Sequence, residues 1–228
     1  MAGVAVEAVA GVAVFFFVVL PFSVHEYYLS IVNLCSIAAI GALGLNILVG
    51  STGQISIGHG AFMSVGAYTA ANLAVRLGAP WPVNLLAGGL MAALVGAVVG
   101  IPSLRIKGLY LAIATLAGQL IIEWTINHVT FISGGVQASI EVPRPELFGY
   151  PIASQRDMYF FLLVFVALAV VATLNLLRSR VGRAFIAIRD HDIAAELIGI
   201  AIFRYKLLAF AVSSFYAGVT GVLYTYYL

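Results

Sequence analysis

A chain of 228 residues that is 63% hydrophobic and 9% charged, with a mean hydropathy of +1.09, is not a soluble domain, since those carry roughly 25% charged residues. Its formal net charge of +2 is too small for a nucleic-acid footprint, so no nucleic-acid partner is expected. The single cysteine, Cys35, allows no internal disulfide and argues against a thiolate metal site.

Several apolar runs reach the ~20 residues needed to cross a hydrocarbon core about 30 Å thick, and the short alternating strands of a barrel do not occur. The predicted fold class is therefore all-α: a polytopic transmembrane helical bundle of about seven spans, one domain over residues 1–228, with lipid around it. The first span covers 3–22 and, lacking the basic start of a signal peptide, is read as a span, with Glu7 near its end. His25 and Glu26 make a polar turn before the second span, 27–50, where Asn33 and Asn46 mark helix–helix contacts. The segment STGQISIGHGAF, 51–62, has glycines and polar side chains but no charge, unlike a solvent loop.

The third span, 61–77, ends at the rigid turn GAPWP, and the fourth, 83–101, sets Gly96 and Gly100 at the spacing of close helix approach. After Arg105 and Lys107 the fifth span, 109–129, carries Gln119, Glu123 and His128 in its second half. Residues 130–157 form a long Gly/Pro-rich connection, and connections of that length are usually functional or well packed. The sixth span is 158–177, the seventh starts near Tyr205, and between them lies the long charged segment 178–206.

Counting spans puts Arg105, Lys107, Arg178, Arg180, Arg183, Arg189, Arg204 and Lys206 on one side and Arg76, Arg144 and Arg156 on the other. The positive-inside rule makes the first side, and with it the N-terminus, cytoplasmic. Within the charged segment Asp190 and Asp192 precede a short apolar run closed by Gly199, the pattern of a short helix over about 193–198. Ile193, Leu197 and Ile200 fall near one face and Glu196 on another, so such a helix can bury an apolar side and present charge. Gln54, Ser56 and His59 either line a watery path or satisfy backbone groups freed by a kink. Gln119 and Glu123 share a helix face, as path residues or as structural and headgroup contacts.

AIRDHDIAAELIGI, 187–200, resembles the cytoplasmic loop of bacterial branched-chain amino-acid ABC importer permeases of the LivM type. Three further stretches resemble the same family in its order: Gly44-Leu45-Asn46 with Gly50 through Phe62, Gly108 through Ala117, and Val142 through Gly149. The resemblance implies a non-enzymatic permease of the bacterial inner membrane that moves a small neutral amino acid inward, branched-chain by default. Urea or amide transport by a near relative is one alternative, and an ion-coupled secondary transporter, which needs intramembrane carboxylates, is another.

Residues 178–204 would then be the coupling loop, inserting its short helix into a cleft of a cytoplasmic ATPase, with Arg189, Asp190, Asp192, Ala194, Ala195, Glu196 and Gly199 as the coupling set. Implied partners are a second, LivH-like permease subunit, two cytoplasmic ATPase subunits and a periplasmic or lipid-anchored substrate-binding protein. No GxxxxGK[ST] occurs, so no cofactor is expected in this chain, and ATP and magnesium would sit in the ATPase subunits. Neither catalytic nor metal-binding residues are expected, because His25, His59, His128 and His191 are scattered. Arg144, Glu146 and Arg156 are candidate charges for docking the binding protein, or ordinary solvated residues. That outer loop keeps Ser133-Gly134-Gly135 but has Val136-Gln137-Ala138-Ser139 where the family has Asn/Asp-Gly character. Family members continue with further hydrophobic segments beyond the seventh span, so a fragment, or a core completed by a partner, is the expectation.

Overall fold

The computed structural model describes residues 25–103, 108–130, 142, 146–147, 150–152 and 154–228. The expected first span with Glu7, the loop residues Arg105 and Lys107, and Arg144 lie outside the described residues.

Helix α1, Glu26–Leu45, starts where His25 Nδ1 accepts from the Tyr27 amide, so the polar turn foreseen from the sequence is its cap. It widens into a π-helical turn, Asn46–Gly50. Helix α2, His59–Leu77, stops at Gly78, whose φ of 59° is the left-handed conformation that glycine adopts freely. Helix α3 is Trp81–Ser103 and α4 is Leu109–His128. A two-residue antiparallel pair, β1 Glu146–Leu147 with β2 Tyr150–Pro151, lies in the long connection. Then come α5, Gln155–Arg178, the paired short helices α6, Arg180–Asp190, and α7, Asp192–Leu197, and finally α8, Ile202–Tyr227.

The fold is an all-α polytopic bundle, and five described helical stretches are long and apolar enough to cross a membrane: Glu26–Gly50, Trp81–Pro102, Leu109–His128, Gln155–Arg178 and Ile202–Tyr227. Helix α2 has 19 residues but falls outside that set, carrying Ser64, Thr69, Asn72 and Arg76. Its polar groups turn inward on its own backbone: Ser64 Oγ, Thr69 Oγ1 and Asn72 Nδ2 donate to carbonyls four residues back, at 3.1, 2.7 and 2.8 Å. Side-chain bonds of this kind lower the cost of carrying polar residues in a helix packed within an apolar bundle.

Helix α8 is the hub, packing on α3, α2 and α1, while α5 lies against α1. Small residues make this possible. A Cβ on Gly66 of α2 would meet the Gly218 backbone, one on Gly96 of α3 would meet Ser214, and one on Gly100 would come 3.3 Å from the Phe210 ring. Gly96 and Gly100 thus make the close approach that their spacing predicts. Asn33 also acts as foreseen: fully buried, its Nδ2 donates to the Gln155 carbonyl and side-chain oxygen, each at 3.1 Å, tying α1 to the start of α5. Asn46 does not, for it is exposed beside the π-turn, where its side chain occupies the space a Cβ on Gly50 would need. At the first position of the π-turn it stays on the chain's outer face, where its side chain folds back along the turn against Gly50 instead of meeting another helix.

Candidate functional site

The break after α1 and the charged segment meet at one end of the bundle. Residues 51–58 leave the helix through Gly53, with φ of 68°. Thr52 Oγ1 donates to the Leu48 carbonyl at 2.6 Å, and the buried Gln54 donates through Nε2 to Thr52 Oγ1 at 2.7 Å and to the Lys206 carbonyl at 3.4 Å. On the other side of the break, the Ile57 amide donates to Thr115 Oγ1 of α4 at 3.1 Å, and a Cβ on Gly58 would lie 2.6 Å from the Thr115 carbonyl. Replacing Thr115 with Val keeps the shape and removes that acceptor from a part-buried hydrogen bond. We expect a loss of about 1 kcal/mol, read as a lower midpoint of thermal unfolding in detergent.

His59 opens α2 with Nε2 3.1 Å from the Gly41 carbonyl, so it bridges α2 to α1. Gln119 Nε2 donates to Glu123 Oε1 at 2.8 Å, and Gln119 stands over Gly60, where a Cβ would be 3.7 Å away. The structure therefore places His59 at an α1–α2 contact and Gln119, with Glu123 joined to it, at the neighbouring α2–α4 contact beside Gly60. Gln54 and Ser56 sit apart, buried within the break, where Gln54 Oε1 and Ser56 Oγ have no protein partner.

In the charged segment Ser179 caps α6, its Oγ accepting from the Val181 and Gly182 amides at 3.1 and 3.3 Å. Gly182, Ala184, Phe185 and Ile188 of α6 are buried, with the Phe185 ring edge-on to Tyr205 at 6.5 Å. Sequence reading missed this helix. Its signal was present in the Ser179 cap and in the apolar spacing of 181, 184, 185 and 188, but the arginines masked it. The short helix foreseen over 193–198 is found as α7, Asp192–Leu197. Asp192 stands in its first turn as expected, whereas Asp190 closes α6 and pairs with Arg189 at 3.2 Å, both side chains exposed. Gly199 ends α7 at φ 88°, and the Ile200 amide reaches back to the Ala195 carbonyl at 3.0 Å.

Only Ala195 of the coupling set is buried; Ala194 and Glu196 are exposed. Of the apolar side foreseen over Ile193, Leu197 and Ile200, the first two face away from this chain, at 71% and 84% exposed, and Ile200 is half-buried; Ile198, 76% exposed, joins the outward face. A cavity of about 270 Å³ lies between the break and the α6–α7 junction, lined by Thr52, Gly53, Gln54, Arg189, His191 and Lys206. A second, apolar cavity of about 640 Å³ lies between α2, α3 and α4 beside Tyr68, Asn72, Met91, Ile122 and Ile126. Of the docking candidates, Arg156 is exposed in the first turn of α5, and Glu146 is placed by its backbone in β1. Among the described residues no three His, Cys, Asp or Glu side chains gather as a metal site.

The sequence model of the family described as "Branched-chain amino acid transport system / permease component" matches residues 27–228. The chain belongs to that permease family. It is 35% identical over 227 residues to the high-affinity branched-chain amino acid transport system permease protein LivM of Escherichia coli K12, covering 90% of this chain and 53% of that protein. The LivM of Salmonella typhimurium LT2 is 34% identical with the same coverage. The guanosine ABC transporter permease protein NupQ of Bacillus subtilis 168 is 23% identical over 76% of this chain and 59% of its own length. This chain spans about half the length of the LivM relatives it matches. No solved structure matches it. The family match includes the break, the α6–α7 segment and all of α8, so the site described above lies wholly within the permease region.

Proposed function

We propose that this chain is the membrane-spanning permease component of an ABC importer in the bacterial inner membrane. It moves a small neutral, branched-chain amino acid inward, using ATP hydrolysed on separate cytoplasmic subunits that bind the nucleotide and magnesium. The observation that carries the reading is the pairing of family membership with α7: a helix capped by Gly199, anchored by Ala195, and presenting Ile193, Leu197 and Ile198 outward. An apolar face of that kind, on a short rigid helix between two spans, suits a cleft in an ATPase subunit and can transmit its closure as a rigid-body movement. The charged segment then faces the cytoplasm, as does the N-terminus.

The other proposed partners are a second, LivH-like permease and a periplasmic or lipid-anchored binding protein that meets Arg144, Glu146 and Arg156 on the opposite side. Branched-chain substrates are favoured by the 35% identity to LivM against 23% to the guanosine permease. Gln54, Ser56 and His59, with Gln119 and Glu123, are the proposed lining of the path. Buried polar atoms without a protein partner, as at Gln54 and Ser56, are uncommon and suit a segment that exchanges partners during transport.

The test is uptake of labelled leucine by proteoliposomes containing the complete set of subunits. Uptake should require ATP, and Gln54→Ala with His59→Ala should lower it about 10-fold or more while assembly persists. Normal uptake by that double variant would remove the lining role. Uptake that continues with inactive ATPase subunits and collapses with the proton gradient would replace the whole reading by an ion-coupled carrier.

A further inference from the structure

An α-helix that breaks inside a bundle leaves carbonyls without amides, and in α1 one of them is taken by a residue 139 positions away. The π-turn shifts the register so that the Gln54 amide, which would close an α-helical bond to Gly50, bonds the Leu48 carbonyl instead at 3.3 Å. The freed Gly50 carbonyl accepts from Arg189 Nη1 at 2.7 Å. The cation thus sits at the C-terminal, negative end of the α1 dipole, where a charge-assisted bond is favoured. The arginine stem lies over the left-handed glycine, its Cγ 3.2 Å from where a Cβ on Gly53 would be. A second tie joins the same break to the start of α8, Gln54 Nε2 to the Lys206 carbonyl at 3.4 Å. Residues 50–54 are therefore held from both sides of α7, by Arg189 at the end of α6 and by the Lys206 carbonyl at the start of α8.

We propose that Arg189 is a positioning residue that clasps the broken end of α1 to the α6–α7 segment, so that a displacement of α7 carries residues 50–54 with it as one body. Its role is internal to this chain and distinct from contact with an ATPase. The source of the displacement rests on the permease reading; the clasp itself rests on the Gly50 and Gly53 geometry. Helix α7 would in this way act on the polar break directly, rather than by tilting α8.

The test uses the complete transporter. Arg189→Ala should lower the ratio of substrate-stimulated to basal ATPase about 10-fold, within the usual range of coupling between sites. Arg189→Lys should recover part of it, since an ammonium can still donate to one carbonyl. Companion subunits lost on purification of Arg189→Ala would make Arg189 a docking residue and overturn the clasp, as would an unchanged ratio.

The deciding variant pairs Gly53→Cys with Arg189→Cys in a Cys35→Ala background, read against Gly53→Cys alone, which carries the strain of a side chain at φ 68° without the tie. The Cβ positions would be 3.9 Å apart, within the 3.5–4.5 Å range of disulfides. Oxidation with copper–phenanthroline should form the bond and restore the ratio lost in the reduced pair, because a covalent tie replaces the clasp. A bond that forms and blocks transport would show the two segments moving past each other and overturn the proposal. Wild-type complex lacking any substrate-stimulated ATPase would remove the permease reading. The clasp is then judged by the disulfide alone, and failure to form it overturns the clasp.

Discussion

Gly221→Leu should abolish the folded bundle, seen as loss of the monodisperse peak on size exclusion in detergent. A Cβ at this position of α8 would run into the Met63 carbonyl and come 3.1 Å from the Ala67 amide of α2, backbone atoms that no rotamer change can move aside. The two helices would have to part along the seam where Gly66 faces Gly218, which α3 also joins so closely that a Cβ on Gly88 would lie 2.9 Å from the Gly66 carbonyl. Three helices separate together. Overpacking a soluble core costs about 1–3 kcal/mol. In lipid the penalty is less easily recovered, since association depends on close van der Waals contact rather than on exclusion of water. Leu94→Ala, on the exposed side of α3, is the matched control and should leave the peak intact. An ordinary peak from Gly221→Leu would mean that the α2–α8 approach does not hold the bundle.

Placing carboxylates on α7 by Ile193→Asp with Leu197→Asp should sever the proposed ATPase contact without harming the fold. Both side chains leave this chain, so its own packing loses little, and Ala195 and Gly199 continue to fix the helix. Burying two unpaired carboxylates in an apolar cleft, by contrast, costs at least about 3 kcal/mol, roughly 100-fold in affinity. The ATPase subunits should fail to co-purify and leucine uptake should be lost, while the permease still elutes as a single peak. Retained co-purification and uptake would show that the outward apolar face of α7 is not the docking surface.

Much of the architecture is legible in the sequence. Apolar runs of membrane length predict the spans, and Asp192 with Gly199 predicts α7, because caps are local signals carried by neighbouring residues. The amphipathic helix α6 was hidden by its arginines. Those arginines take the exposed face while Phe185 and Ile188 are buried. Asp190 belongs to α6 rather than to the start of α7, a boundary decided by where the backbone turns at His191. Arg189 reads in sequence as part of a coupling motif, and its bond to Gly50 depends on two segments 139 residues apart. Local periodicity holds no record of such a contact.

The sequence by itself determined that this is a membrane bundle, which five described stretches are long and apolar enough to cross a membrane, and which segment carries the charge. Only the tertiary structure decided which helix is central. The most apolar stretch, in Gln155–Arg178, has a mean hydropathy of 2.7 yet is 11% buried, while that of Ile202–Tyr227, at 1.6, is 61% buried. Hydropathy cannot rank these helices, because lipid solvates an apolar surface as well as protein does. Glycine, alanine and serine along α8 let three neighbours approach its backbone, and that close contact sets the centre of the bundle.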